Sequence, residues 1–278
     1  MWKSNVHKLS EKYRTALVTG GSSGLGLAFC EMLASEGVKT FSASRHPAKL
    51  PDLSGLQGLE LDLANLLSVN AFAKHFAKEH GVPDLLINNA GYGAVFEWDR
   101  FPEEEIARQL DVMLEAPALL CRAFAPAMAE RGSGGIVNVS SLAVQYPLPF
   151  LPMYNAAKAG LSAFSASLAL EYRQAPFVID FRPGDFNTSF NDAASCREDE
   201  ASERAARVWR GMKKRLQNAP DPVRAARRLR VSLGREKSGI VYSGGFVQAV
   251  LGPLFQRLLP TRCLLRFVRI YHGMRKVF

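Results

Sequence analysis

Residues 15–26 read TALVTGGSSGLG, a β-branched apolar run that meets a glycine-rich turn. The segment that follows, LGLAFCEMLASEG (25–37), has the apolar spacing of a helix and a stop at Gly37. A strand, a glycine turn and a helix in that order bring free backbone N–H groups and the positive end of a helix dipole to the turn, a setting that suits a phosphate. Gly20 and Gly24 permit the tight turning and Gly26 permits close backbone approach, with Ser22, Ser23 and Leu25 completing the loop. The spacing is TGxxxGxG rather than GxGxxG.

The same alternation continues along the chain. VKTFSAS (38–44), LEL (59–61), DLLINN (84–89), GGIVNVSS (134–141), FVIDFRP (177–183) and GIVYSGG (239–245) read as strands. Helical patterns fill 64–81, 103–131 and 152–174 between them. Strands alternating with long helices predict an α/β fold: a single doubly wound, Rossmann-type parallel sheet with helices on both faces. The 278 residues make one domain over 1–245 with a sizeable core, and 246–278 extend that domain. Residues 186–218 are polar and helical, a lid whose large apolar points are Phe186, Phe190 and Trp209. Asp221 before Pro222 predicts a helix start there.

A chain that is 47% apolar and 22% charged is globular rather than disordered or fibrous. The basic start MWKSNVHK leads into polar LSEKYR, so no secretory leader is expected, nor a stretch apolar enough to span a bilayer. Cys30, Cys121, Cys196 and Cys263 are scattered without metal-like spacing, which predicts reduced thiols, no metal site and a cytoplasmic setting.

YNAAK (154–158) sets Tyr154 and Lys158 one helical turn apart on one face, and a fixed ammonium beside a phenol favours its anionic form. With TGGSSGLG at 19–26, NNAG at 88–91 and a serine thirteen residues before the tyrosine, the chain resembles the short-chain dehydrogenase/reductase family in motif order and spacing over 13–245. That resemblance implies a hydride-transferring oxidoreductase. Tyr154 would be the general acid of reduction and the base of oxidation. Lys158 would lower the tyrosine pKa and hold the nicotinamide ribose, and Ser141 would stabilise the substrate oxyanion, with Ser140 as the runner-up. NNAG would pack beside the cofactor, Asn88 structurally, Ala90 within the motif, and Asn89 and Gly91 near the adenosine half. Asp62 matches the position that contacts adenine, although a strand-end cap reads as well. PGDFNT (183–188) resembles PGxxxT, so Pro183, Gly184 and Thr188 would meet the nicotinamide end, Thr188 bonding its carboxamide.

Cofactor choice turns on the end of the second strand, where Ser44 and Arg45 stand in place of an acid. An arginine suits a 2′-phosphate, so NADP(H) is expected over NAD(H). One departure is Met113, which stands where the family commonly carries an asparagine of the proton relay. The segments YGAVFEW (92–98) and LAVQYPLPF (142–150) offer Tyr92, Phe96, Tyr146 and Phe150 as apolar substrate walls, joined by Phe186 and Phe190. The expected substrate is a small hydrophobic ketone, aldehyde or alcohol. The alternatives are an acyl-carrier-protein-linked ketoreductase using the arginines of 204–235, or a catalytically weak cofactor-binding scaffold.

The net charge of +9 is concentrated at the end of the chain. Seven cations and no acid lie beyond Glu236, leaving only +2 on residues 1–236. Arg262, Arg266 and Arg269 share one helix face while Leu264, Leu265, Phe267, Val268 and Ile270 fill the remainder. Such a segment could lie peripherally in a membrane interface, or pack over the substrate cleft or a neighbouring subunit. No recognised module points to nucleic acid. The family resemblance implies a homodimer or homotetramer assembled through the helices of 103–131 and 152–174.

Overall fold

The computed structural model describes residues 8–188, 202–252 and 259–274. Seven strands form one parallel sheet: β1 (Thr15–Thr19), β2 (Lys39–Ser44), β3 (Leu56–Glu60), β4 (Leu85–Asn88), β5 (Gly135–Val139), β6 (Phe177–Pro183) and β7 (Gly239–Ser243). Their order is β3-β2-β1-β4-β5-β6-β7. Every neighbouring pair is parallel. The order reverses between β1 and β4, and in open α/β sheets the crevice beyond the strand ends at such a point is where ligands bind. The glycine turn follows β1 and NNAG follows β4, so both motifs arrive at that crevice.

Side chains alternate between faces, and the sheet sorts its apolar residues accordingly. Val18, Ile87, Val139 and Phe181 pack with Phe29 and Leu33 of helix α1 (Gly24–Ser35) and with Leu229 and Leu233 of a later helix (Pro222–Arg235). Leu17, Leu86, Ile136 and Val178 face the other way, onto Val69 and Phe76 of α2 (Leu66–His80) and the Leu120–Phe124 turn. Burial on both faces explains why these strands read as continuous apolar runs.

The expected helix over 103–131 is present but interrupted. It runs as α3 (Glu103–Leu110), a π turn (Asp111–Glu115) and α4 (Ala116–Arg131). Glu103–Arg131 holds an 18-residue window of mean hydropathy 1.4, enough by length and composition to cross a bilayer, which corrects the sequence expectation. Leu120, Phe124 and Met128 are buried in the core, so the apolar content is accounted for by packing. Helix α5 (Pro152–Glu171) ends three residues before its expected limit, and the third strand starts earlier than LEL. The chain continues as α6 (Glu203–Gln217), α7 (Pro222–Arg235) and α8 (Thr261–Tyr271). Asp221 caps α7 by accepting from the Val223 N–H at 2.7 Å. Phe190 and Cys196 lie outside the described residues.

Candidate active site

The loop after β1 is closed by backbone against backbone. Gly20 and Gly24 adopt φ of +66° and +55°, where other residues are strained. A Cβ on Gly26 would stand 2.2 Å from the Gly20 carbonyl oxygen and 2.4 Å from Asn89 Nδ2. Asn89 donates to the carbonyls of Thr19 (3.0 Å) and Gly20 (3.2 Å), tying the end of β4 to the loop. Ser23 precedes α1 without making a side-chain cap bond, which leaves the first N–H groups of the helix for an anion. A cavity of about 1070 Å³ opens over this loop. It is lined by Ser22, Leu25, Arg45, Asp62, Ala90, Gly91, Ser141, Tyr154, Lys158, Pro183, Gly184 and Thr188, so the expected site residues converge on one space. That volume is at the upper end of the range for ligand pockets.

At its floor, Tyr154 and Ser141 stand together with Lys158. Ser141 Oγ accepts from the Ala143 N–H at 3.0 Å, capping the turn that follows β5. Ser140 points elsewhere, its hydroxyl spent on the Asp180 carboxylate. Lys158 Nζ donates to the Val139 carbonyl at 2.7 Å and sits 5.9 Å from the Tyr154 ring centre. Burial pulls the Lys158 ammonium down to about 8, with Asp180 pulling the other way. Burial also raises the Tyr154 phenol above its usual range, Ser141 acting against this and Asp185 with it. The expected fall of the tyrosine pKa is therefore corrected: desolvation of a fully enclosed phenol outweighs its partners. At neutral pH Tyr154 holds its proton, the state a proton donor needs.

A pH dependence of stability follows. The folded chain releases the Lys158 proton near pH 8, whereas an unfolded lysine does so near 10.5. Between those values the unfolded chain binds more protons, so the contribution of this group to stability rises with pH. The wild type should gain stability relative to Lys158→Met between about pH 7 and about pH 10, read from denaturant midpoints. A constant difference between the two proteins would contradict the burial of a charged ammonium.

A second buried cluster supports this floor from β6. Asp180 accepts from Ser162 Oγ (2.7 Å) and Arg182 Nε (2.8 Å), and Arg182 Nη2 reaches Ser162 Oγ at 2.8 Å. No motif announced it.

Arg45, Asp62 and Tyr92 also line the cavity, joined by Glu105 and Arg108, which the sequence reading missed. Tyr92 donates to Glu105 at 2.7 Å, so its hydroxyl is engaged there. Asp62 accepts from the Ala64 N–H at 3.0 Å, the strand-end cap foreseen as an alternative. A Cβ on Gly91 would meet Lys158 Nζ and Met113 Sδ, each at 3.2 Å, so the glycine is what lets these two side chains approach the end of NNAG. Met113 is fully buried in the π turn and its thioether offers no donor beside Lys158. Thr188 packs beside Gly24.

Among the expected apolar walls, Tyr92, Tyr146 and Phe186 line the cavity. Phe96 instead packs edge-on against Phe101 in a core cluster, and Phe150 lies under the Arg204 guanidinium. Trp209 and Met212 of α6 and Phe267, Val268 and Tyr271 of α8 take those places. Gln248, also missed, donates to the Asp185 carboxylate at 2.8 Å and accepts from the Asp185 N–H at 3.1 Å.

A glycine cradle at the switch point and a Ser–Tyr–Lys floor coincide with a match to the short chain dehydrogenase family over residues 14–199. The chain belongs to this oxidoreductase family. A 3-ketodihydrosphingosine reductase of Bacteroides thetaiotaomicron is 28% identical over 267 residues, 93% of this chain and 98% of its own. An oxidoreductase of Schizosaccharomyces pombe is 35% identical over 165 residues, 59% of this chain and 56% of its own. A short-chain dehydrogenase from Sphingobium yanoikuyae, solved in complex with NADPH, shares the fold with TM-score 0.70 and 23% identity, covering 82% of this chain and 87% of that one. One from Burkholderia phymatum, solved with NAD, does so with TM-score 0.75 and 23% identity over 92% and 95%.

Proposed function

We propose that this chain is an NADP(H)-preferring carbonyl reductase for a ketone carried on an apolar, lipid-like body. The observation that carries the reading is the convergence of Ser141, Tyr154 and Lys158 on one largely apolar cavity beside the glycine cradle. The cradle residues Gly20 to Gly26 and the uncapped start of α1 fit a pyrophosphate, Thr188 the nicotinamide end, and Arg45 with Arg108 a 2′-phosphate. Bound NADPH supplies the hydride. Tyr154 gives its proton to the carbonyl oxygen as charge develops there, and Ser141 donates a hydrogen bond to the same oxygen. Lys158, anchored on Val139, holds a positive charge behind the phenol at neutral pH and supports the phenolate left after transfer.

The fold itself admits either nucleotide, so the preference rests on Arg45. The apolar lining supports a lipid-like ketone, the class in the name of the Bacteroides relative. The carrier-protein alternative draws less support, because Arg230 is paired with Glu36 (2.6 Å) and Arg207 with Glu203 (3.3 Å).

Titration of NADPH and NADH by nicotinamide fluorescence tests the cofactor. Tighter NADPH binding is expected, falling by about 10- to 100-fold in Arg45→Ala, the range of a charge-assisted hydrogen bond, with NADH unaffected. Equal affinity for the two nucleotides in the wild type would contradict the preference.

A further inference from the structure

Helix α8 has two faces with different surroundings. Leu264 and Val268 are buried against the body of the protein, and Phe267, Val268, Tyr271 and His272 line the cavity. Arg215 of α6 fastens the helix end, bonding His272 Nδ1 at 2.9 Å and lying 4.8 Å over the Tyr271 ring. Of the two readings of the basic tail, packing over the cleft therefore describes the inner face. It leaves the outer face unexplained.

On that outer face Arg262, Arg266 and Arg269 are exposed and fall in one stripe directly opposite Leu264 and Val268. Leu265 flanks the stripe on one side, Phe267 and Ile270 on the other, with 44%, 53% and 57% of their surfaces exposed. The preceding segment exposes Phe246, Val250 and Leu259 as well. Large apolar side chains exposed singly need no explanation, whereas a concentration on one segment marks an interaction surface. Its partner must be both apolar and anionic, because no acid follows Glu236 in the chain. A second copy meeting this face about a two-fold axis would set arginine stripe against arginine stripe. An anionic bilayer meets both requirements: its head groups take the arginines and its acyl boundary takes Leu265, Phe267 and Ile270.

We propose that the outer face of α8 seats on an anionic lipid surface. Phe267 and Tyr271 stack at 6.0 Å, are half-exposed and line the cavity, so they form its rim. Seating α8 on a bilayer brings this rim to the lipid, where an apolar ketone passes into the cavity without crossing water. The delivery step rests on the reductase reading; the docking does not.

Flotation with phosphatidylcholine vesicles, with and without phosphatidylglycerol, tests the docking. The wild type should float only with the anionic vesicles, and high salt should release much of it. Replacing Arg262, Arg266 and Arg269 by Gln should weaken partitioning about a hundred-fold at low salt. Leu265→Ser with Ile270→Ser should also weaken it while leaving NADPH binding unchanged, since neither residue lines the cavity. Failure of the wild type to float, or flotation indifferent to both variants, overturns the proposal. So does sedimentation equilibrium showing that the Leu265 and Ile270 changes dissociate an oligomer, which would assign the face to a second copy. Turnover of a short water-soluble ketone reads the reductase assignment separately.

Discussion

Tyr154→Phe should lower turnover by about 10²- to 10⁴-fold, the usual contribution of a positioned proton donor, with little change in NADPH affinity. The substitution keeps the ring in its packing among Val95, Met113, Ala157 and Trp209 and removes only the hydroxyl. What is lost is the proton delivered to the carbonyl oxygen. An interaction used as charge develops falls on kcat more than on KM. Because burial keeps the phenol protonated at neutral pH, the wild type should hold its reductive rate across that range, and the oxidative direction should accelerate as pH rises. Steady-state rates with saturating NADPH, beside a binding titration of the same variant, check both statements. Turnover within about threefold of wild type would remove Tyr154 from the acid role.

Arg182→Leu should destabilise the protein by about 3–5 kcal/mol, the cost of leaving one member of a buried ion pair unpaired. Asp180 and Arg182 are 5% and 8% exposed, and the carboxylate also serves Ser140 and Ser162. Lysine is a poor substitute here, since Arg182 uses Nε for Asp180 and Nη2 for Ser162 in one planar fork. Removing both charges with Asp180→Asn and Arg182→Leu should recover part of the loss, because a neutral pair carries a smaller desolvation cost. Urea unfolding midpoints of the three proteins measure this directly. A single-variant cost below about 1 kcal/mol would mean that the pair is not holding the sheet beneath Lys158.

How far the sequence disclosed this site depends on the kind of residue. The glycine loop was legible because backbone φ and close approach demand glycine at fixed spacing, as the Gly26 contact with Gly20 shows. Tyr154, Lys158 and Ser141 were legible through the spacing shared with the family, and Ser140, on the other side of the strand, is spent on Asp180. The Asp180–Arg182–Ser162 cluster was not, since it joins β6 to α5 through contacts that no local spacing encodes. Gln248 and Arg108 were missed for the same reason: each enters the cavity from a segment without a motif. Phe96 and Phe150 show the converse error. Their loops were placed at the cavity, but the direction of each ring is set by Phe101 and Arg204, contacts that no motif marks. The π turn at Met113 lay inside a continuous helical periodicity and left no sign in it.

The central claim is reduction at the Ser141–Tyr154–Lys158 floor. Its most direct test is the loss of NADPH absorbance when the purified wild-type protein is given a series of ketones of increasing apolar chain length. Saturable NADPH consumption that improves with chain length, and disappears in Tyr154→Phe, is the predicted result. A protein that binds NADPH but consumes none with any ketone in the series would contradict the account and make the chain a cofactor-binding scaffold.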